Sequence, residues 1–401
     1  MKSHKWLKHT KRRPSLLRLQ KPSVVALMGP ISNRLLSSVR SNIRRSLFPL
    51  STTFATATNT SISASPNPNP RNPPSRTPLE KQFETWIDRL KPGFTSSDVV
   101  DALRSQSDPD LALDIFRWTS RARRDYRHDD LAYRTILQIS ISGRRFDAAV
   151  SLAEEAVSGA CSPSVPLYND VIRFYCSRRG FVNRSFDLFR KMRSSDLRPT
   201  LDTYSMLLHA LIRRFGRREV CYTYLPAVKS LVRQMKTAGV IPDQVFLNMV
   251  VKAYSMCLEM EEAIRVFKGM GLYGCEPDKH TYAYVVKGLV EKGRLEQGLG
   301  FYREMREKGF VPSRCAYNVL VSGLALERRF DEAVEVVFDM IGNSMSPDLL
   351  TYRTLLEEMC RGGREREAFE LLGELKGKGR AMNEKTHSRL FDGLRLLCRD
   401  F

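Results

Sequence analysis

Four registers of residue type recur in step along this chain, and their period limits what it can fold into. Tyr133, Tyr168, Tyr204, Leu247, Tyr282, Tyr317, Tyr352 and His387 open successive apolar stretches at spacings of 35, 36, 43, 35, 35, 35 and 35. Met192, Met235, Met270, Met305, Met340 and Leu375 keep the same steps, as do Pro163, Pro199, Pro242, Pro277, Pro312 and Pro347. Ala263, Gly298, Ala333 and Ala368 form the fourth register. Self-similarity at a fixed period of this length is the signature of stacked repeats.

Each unit reads as two helices. In "TYAYVVKGLVEKG" the first carries an apolar stripe and ends near Gly293. In "LEQGLGFYREMREKG" the second places Leu295, Leu299, Tyr302 and Met305 on one side; it stops at Gly309, and Pro312 prevents its continuation. The small residue of the fourth register lets the paired helices approach closely. Such a hairpin cannot bury its apolar face alone, so neighbours must stack. The fold class is therefore all-α, an α-solenoid superhelix of about eight helix-turn-helix repeats of 35 residues. The units run 130–164, 165–200, 201–243, 244–278, 279–313, 314–348 and 349–383; a degenerate unit precedes them at 95–129 and a partial one follows at 384–401. The excess length of 201–243 falls in "RRFGRREVCYTYLPAV", as a longer interhelical loop or as extended helices, and its four arginines could meet phosphate.

The charge is uneven. The chain carries +21, but residues 1–79 hold 14 Lys or Arg and no acid, which leaves +7 over the other 322 residues. The basic character therefore belongs mainly to the N-terminus. Residues 1–50 are rich in Arg, Ser and Leu, and "SNRLLSSVRSNIRRSLF" sets Leu35, Leu36, Val39 and Ile43 along one helical side among arginines. That composition is expected of an organellar transit peptide, with the arginine content favouring a mitochondrion over a chloroplast. Met28 offers an alternative start, and a basic tail that touches nucleic acid is the competing reading. Residues 51–79 are Ser, Thr, Asn and Pro-rich and are expected to be a disordered linker. An N-terminal helix is expected over 80–94, with order beginning at Thr77-Pro78, a cap followed by a first-turn proline.

Eight cysteines form no C-x-x-C, and Cys275 with His280 is too poor a set to hold a metal. The pattern suits a reducing compartment. No apolar run approaches the length of a membrane span.

The T-Y-x-x-L opening, G-R-x-x-E-A middle and M-x-x-x-G-x-x-P-[DS] ending resemble the pentatricopeptide repeat. The phrases that carry the resemblance are "TYAYVVKGLVEKGRLEQG", "AYNVLVSGLALERRFDEAVEVV" and "TYRTLLEEMCRGGREREAFELL". It covers residues 95–401 and looks like the pure, single-length class. The chain shows neither the deaminase-like H-x-E and C-x-x-C tail of some relatives nor the metallonuclease domain of protein-only RNase P relatives, so no enzymatic activity and no cofactor are expected.

The resemblance implies binding of single-stranded organellar RNA, about one base per repeat, read by two or three side chains. In the family these are the residue after the aromatic and the last residue of the unit. Here Asn248 with Asp278 and Asn318 with Asp348 look like uridine readers, Ser205 with Asp243 a guanosine reader, and Asn169 with Thr200 a weak pyrimidine reader. Val245 and Leu350 suit the apolar wedge between bases. Arg134 with Ser164, Ala283 with Ser313 and Arg353 with Asn383 depart from the code, as do Asp202 and His280 in the wedge place. The last-residue set also consists of good N-caps, and capping alone accounts for its type. The asparagines are different: Asn is a mediocre helix former with nothing local to gain one turn inside a helix. Its amide can donate and accept toward a base edge. The function expected is RNA binding in transcript stability, processing, splicing or translation; the alternative is a protein-binding solenoid of the mitochondrial ribosome or another ribonucleoprotein.

Overall fold

In the computed structural model, residues 77–398 are described, except 91–92, 124, 216–217 and 379–381 and the side chains of 179 and 218–220. The expected transit peptide, and the expected linker up to residue 76, lie outside the described residues. Those residues hold 18 α-helices and no strand. Three come first: α1 (Pro78–Arg89), α2 (Ser96–Arg104) and α3 (Pro109–Ala122). Eight aromatic-bearing first helices follow: α4 (Asp130–Ser142), α6 (Val165–Cys176), α8 (Leu201–Ile212), α10 (Gln244–Met256), α12 (Lys279–Glu291), α14 (Arg314–Leu326), α16 (Leu349–Arg361) and α18 (Glu384–Leu397). Between them lie the second helices α5 (Phe146–Glu155), α7 (Val182–Ser194), α9 (Arg218–Thr237), α11 (Met260–Gly269), α13 (Leu295–Glu307), α15 (Phe330–Gly342) and α17 (Glu365–Gly377). Over 80–94 the structure has α1, ending at Arg89, and then the approach to α2. Thr77 caps α1 through a capping box with Glu80.

Each first helix packs on its own second helix and on the next first helix, whereas a second helix packs on the following first helix. The first helices thus form one continuous, closely spaced layer. The aromatic register lies at its heart: Tyr168, Tyr204, Tyr282, Tyr317 and Tyr352 are among the largest fully buried side chains. Three members of this register reach an acid on the second helix of their own unit. Tyr133 donates to Glu155 at 2.9 Å, Tyr282 to Glu304 at 2.6 Å and Tyr317 to Asp339 at 2.6 Å. Burial and the neighbouring carboxylates push these phenols above their usual pKa, so they remain neutral donors. The methionine register is as deeply buried, with Met192, Met270, Met305 and Met340 fully enclosed. At Gly298 an added Cβ would stand 2.9 Å from Val290, so the paired helices are close there.

Left-handed turns recur at two places in the repeat, and units 244–278, 279–313 and 314–348 have both. Between first and second helix, Arg144, Leu258, Gly293, Arg328 and Gly363 have φ between 56° and 78°. Four residues before the unit ends, Asp196, Gly239, Gly274, Gly309 and Ser344 do the same, between 56° and 76°. At Arg328 the turn is a Schellman motif: Arg329 N–H donates to Leu324 O at 2.9 Å and Arg328 N–H to Ala325 O at 3.0 Å. The extra length of 201–243 is taken up largely by α9, which runs 20 residues against 10 to 13 in the other second helices. At the outer edge of the turns Arg294 meets Glu261 at 2.6 Å, Arg364 meets Asp331 at 2.9 Å and Arg329 meets Glu296, each joining one unit to the one before. Exposed pairs of this kind contribute about 0–1 kcal/mol each.

A non-glycine residue in the left-handed region costs roughly 1–2 kcal/mol. Arg328 is exposed and its turn is the same one that Gly293 and Gly363 make. Arg328→Gly should therefore raise stability by about 1 kcal/mol, read as a higher urea midpoint with an unchanged slope; a lower midpoint would contradict the turn assignment.

Candidate nucleic-acid interface

The residue after the aromatic sits at the edge of the first-helix layer, where the next unit's cap comes into reach. The structure joins three of the four predicted pairs by hydrogen bonds. Asn169 Nδ2 donates to Thr200 Oγ1 at 3.2 Å, Asn248 Nδ2 to Asp278 Oδ2 at 3.1 Å and Asn318 Nδ2 to Asp348 Oδ2 at 2.8 Å. Ser205 and Asp243 are not joined: no hydrogen bond links them among the described residues, and exposed Asp243 only caps α10 by accepting from Phe246 N–H at 2.7 Å.

A threonine three residues after the cap completes two of the three joined pairs. Thr203 donates to Asn169 Oδ1 at 2.6 Å and Thr281 to Asn248 Oδ1 at 2.5 Å, so both amides are bonded at both ends. Thr351 turns instead to Asp348 Oδ1, at 2.8 Å, and Asn318 Oδ1 is left buried without a partner. The asparagines therefore do gain something structurally: each bridges to the cap some 30 residues on, a partner that reading within one helix could not find. Asp278 is the most heavily engaged cap. Oδ1 accepts from the N–H of His280 and of Thr281, both at 2.9 Å, and Oδ2 accepts from Gln244 at 3.0 Å as well as from Asn248. Burial works to raise its pKa, but the hydrogen bonds from Thr281, Asn248 and His280 outweigh that and hold the carboxyl below the usual range.

The positions outside the code are occupied differently. Arg134 Nε holds Asp170 of the next first helix at 2.9 Å. Ala283 is buried, and Arg353 pairs with Glu357 one turn on, at 3.3 Å. Two residues after the cap, Val245 and Leu350 are 63% and 64% exposed, large apolar side chains with nothing over them. Leu131 occupies the same place after the cap Asp129 and is 43% exposed. Sequence reasoning passed over it, although its offset from Asp129 equals that of Val245 from Asp243. Together these residues make a surface on which amides, carboxylates and apolar side chains recur at several steps of one helical layer. Such a surface can meet flat polar rings edge-on while apolar side chains lie against their faces. Among the described residues no group of three His, Cys, Asp or Glu is placed to hold a metal ion, and no helix is long and apolar enough to cross a membrane. All eight cysteines are free thiols.

Residues 163–213, 242–291 and 315–361 match the PPR repeat family, and residues 280–310 and 350–380 match the PPR repeat itself. The chain is 59% identical over 199 residues to a mitochondrial pentatricopeptide repeat-containing protein of Arabidopsis thaliana, an overlap of 49% of this chain and 52% of that one. A second mitochondrial protein of that description, also from Arabidopsis thaliana, is 35% identical over 51% of this chain and 46% of its own length. The chain thus spans about half the length of the curated relatives it matches. Its fold is similar to that of the pentatricopeptide repeat protein PPR10 from maize, with a TM-score of 0.50 at 22% identity, over 80% of this chain and 52% of that one. Over residues 163–213, 242–310 and 315–380 the chain is thus similar to pentatricopeptide repeats.

Asn248 ties two units together even without a ligand. Removing it leaves Asp278 and Thr281 short of a partner, which costs about 1–3 kcal/mol. Asn248→Ala should lower the urea midpoint of the ligand-free protein clearly more than Ser205→Ala. Equal effects would show that the cross-unit bond adds nothing.

Proposed function

We propose that this protein binds single-stranded RNA in a mitochondrion along its first-helix layer. The reading rests most on one observation: three amide-to-cap pairs recur at one register of that layer, beside the exposed Val245 and Leu350. A base edge laid against such a pair meets an amide and a cap whose orientations are already fixed, so little ordering entropy is lost on contact. Asn248/Asp278 and Asn318/Asp348 take uridine, Ser205/Asp243 guanosine and Asn169/Thr200 a pyrimidine, with Val245 and Leu350 lying between bases. The protein acts by occupying or remodelling the RNA, in transcript stability, processing, splicing or translation, and belongs to the pure class of the family. The mitochondrial site draws support from the basic, acid-free N-terminus and from the names of the two Arabidopsis relatives.

Asn318 is the residue on which to test it, because its carboxamide oxygen has no protein partner to give up. Asn318→Ser recreates at this step the Ser/Asp combination of 205 and 243. In selection from a random RNA pool it should shift preference at a single position from uridine to guanosine and leave the flanking positions alone. Indifference of the selected sequence to the exchange would refute the readout. Ribosomal cosedimentation that survives high salt, without selected RNA, would point instead to a ribonucleoprotein subunit.

A further inference from the structure

Residues four apart on a helix lie on one face. One turn beyond the asparagine register, four consecutive first helices carry Arg173, His209, Lys252 and Lys287; the next two carry Ser322 and Glu357. Arg173 and His209 are exposed and the two lysines partly so. Lys252 Nζ stands 5.4 Å from the ring centroid of Tyr284, on the neighbouring first helix, and this steers the ammonium along the layer. Exposed Arg213 lies one turn past His209.

Two carboxylates border this line. Asp170 is 3.5 Å from Arg173, but Arg134 already holds it at 2.9 Å, so the three together keep one positive charge in excess. Glu291 lies 3.8 Å from Lys287, at the outer limit of an ion pair. Past Lys287 the pattern stops. Ser322 is uncharged, and Glu357 sits between Arg353 at 3.3 Å and Arg361 at 3.9 Å.

We propose that Arg173, His209, Lys252 and Lys287 form a track for the phosphate backbone of a single strand, and that the track ends before unit 314–348. The proposal rests on the RNA reading above and adds where the backbone is gripped. Helices in contact lie about 8–10 Å apart, so one cation or imidazole per first helix recurs at the step of one nucleotide per repeat. The track carries no base information. It holds the strand in register across the middle of the array, while Asn318 beyond its end has uncharged Ser322 in the place of the track.

Salt dependence separates these roles. Each phosphate contact on a single strand adds about 0.7 to the slope of log affinity against log salt. The full chain is titrated by fluorescence anisotropy with labelled oligouridine and oligoadenosine of equal length over a range of salt. Lys252→Gln and Lys287→Gln should each flatten the slope by about 0.7 and weaken both oligonucleotides alike. Lys268→Gln, the same charge change on exposed α11, and Arg361→Gln, past the end of the track, should leave the slope unchanged. A Lys252→Gln/Lys287→Gln double variant with the wild-type slope overturns the track, and a flattened slope in Arg361→Gln overturns its stated end. If the wild-type chain binds neither oligonucleotide, the RNA reading fails and the track fails with it.

Discussion

A pair of helices cut from this array could not cover its own apolar side, and the rest of the structure follows from that. Tyr317 shows how the cover is supplied. Its ring is buried in a core that includes Val286 of the preceding unit and Tyr352 of the next, while its hydroxyl returns to Asp339 of its own second helix. The core is thus shared between units and the polar ends are settled within them. Stacking is the source of the fold's stability, because the hydrophobic gain exists only when neighbours are present.

The stacking also creates the surface. Because first helices pack on first helices, Asn169, Asn248 and Asn318 arrive beside the cap of the next unit. Asn248, Asp278 and Thr281 come from two different helices, and they meet only because α10 and α12 are neighbours. The same atoms that stitch the junction are thereby held in fixed orientation along one layer. The positions proposed to read bases are thus also the ones that join the units. Asn169 and Asn248 are bonded at both ends of their amides, whereas Asn318 keeps a free acceptor. The three share a residue type but have different capacity to engage a ligand.

Much of this was legible in the residues. The period, the paired helices, the caps at Ser313 and Asp348 and the breaks at Gly309 and Pro312 all rest on local chemistry, which sequence displays directly. What was hidden has a common cause: it depends on backbone angles or on partners about 30 residues away. The left-handed turns at Gly293 and Gly309 could be read from glycine, but those at Leu258 and Arg328 could not, since side chains of that kind ordinarily avoid them. Asn318 and Asp348 were paired in the sequence only through the family's code; the direct bond between them, across 30 residues, was not visible there. The long unit left two alternatives open, and α9 supplies the answer as an extended helix despite Pro226 within it. Leu131 was overlooked because the code positions of its unit, Arg134 and Ser164, drew no reader assignment.

The central claim is that the first-helix layer is an RNA interface. It is tested most directly by ultraviolet crosslinking of the tagged protein inside organelles, with sequencing of the bound RNA and mass spectrometry of the crosslinked peptides. The account predicts a defined set of organellar transcripts, with nucleotide adducts on peptides from α6, α8, α10, α12, α14 and α16. Adducts confined to the second helices, or recovery of protein partners without RNA, would contradict it.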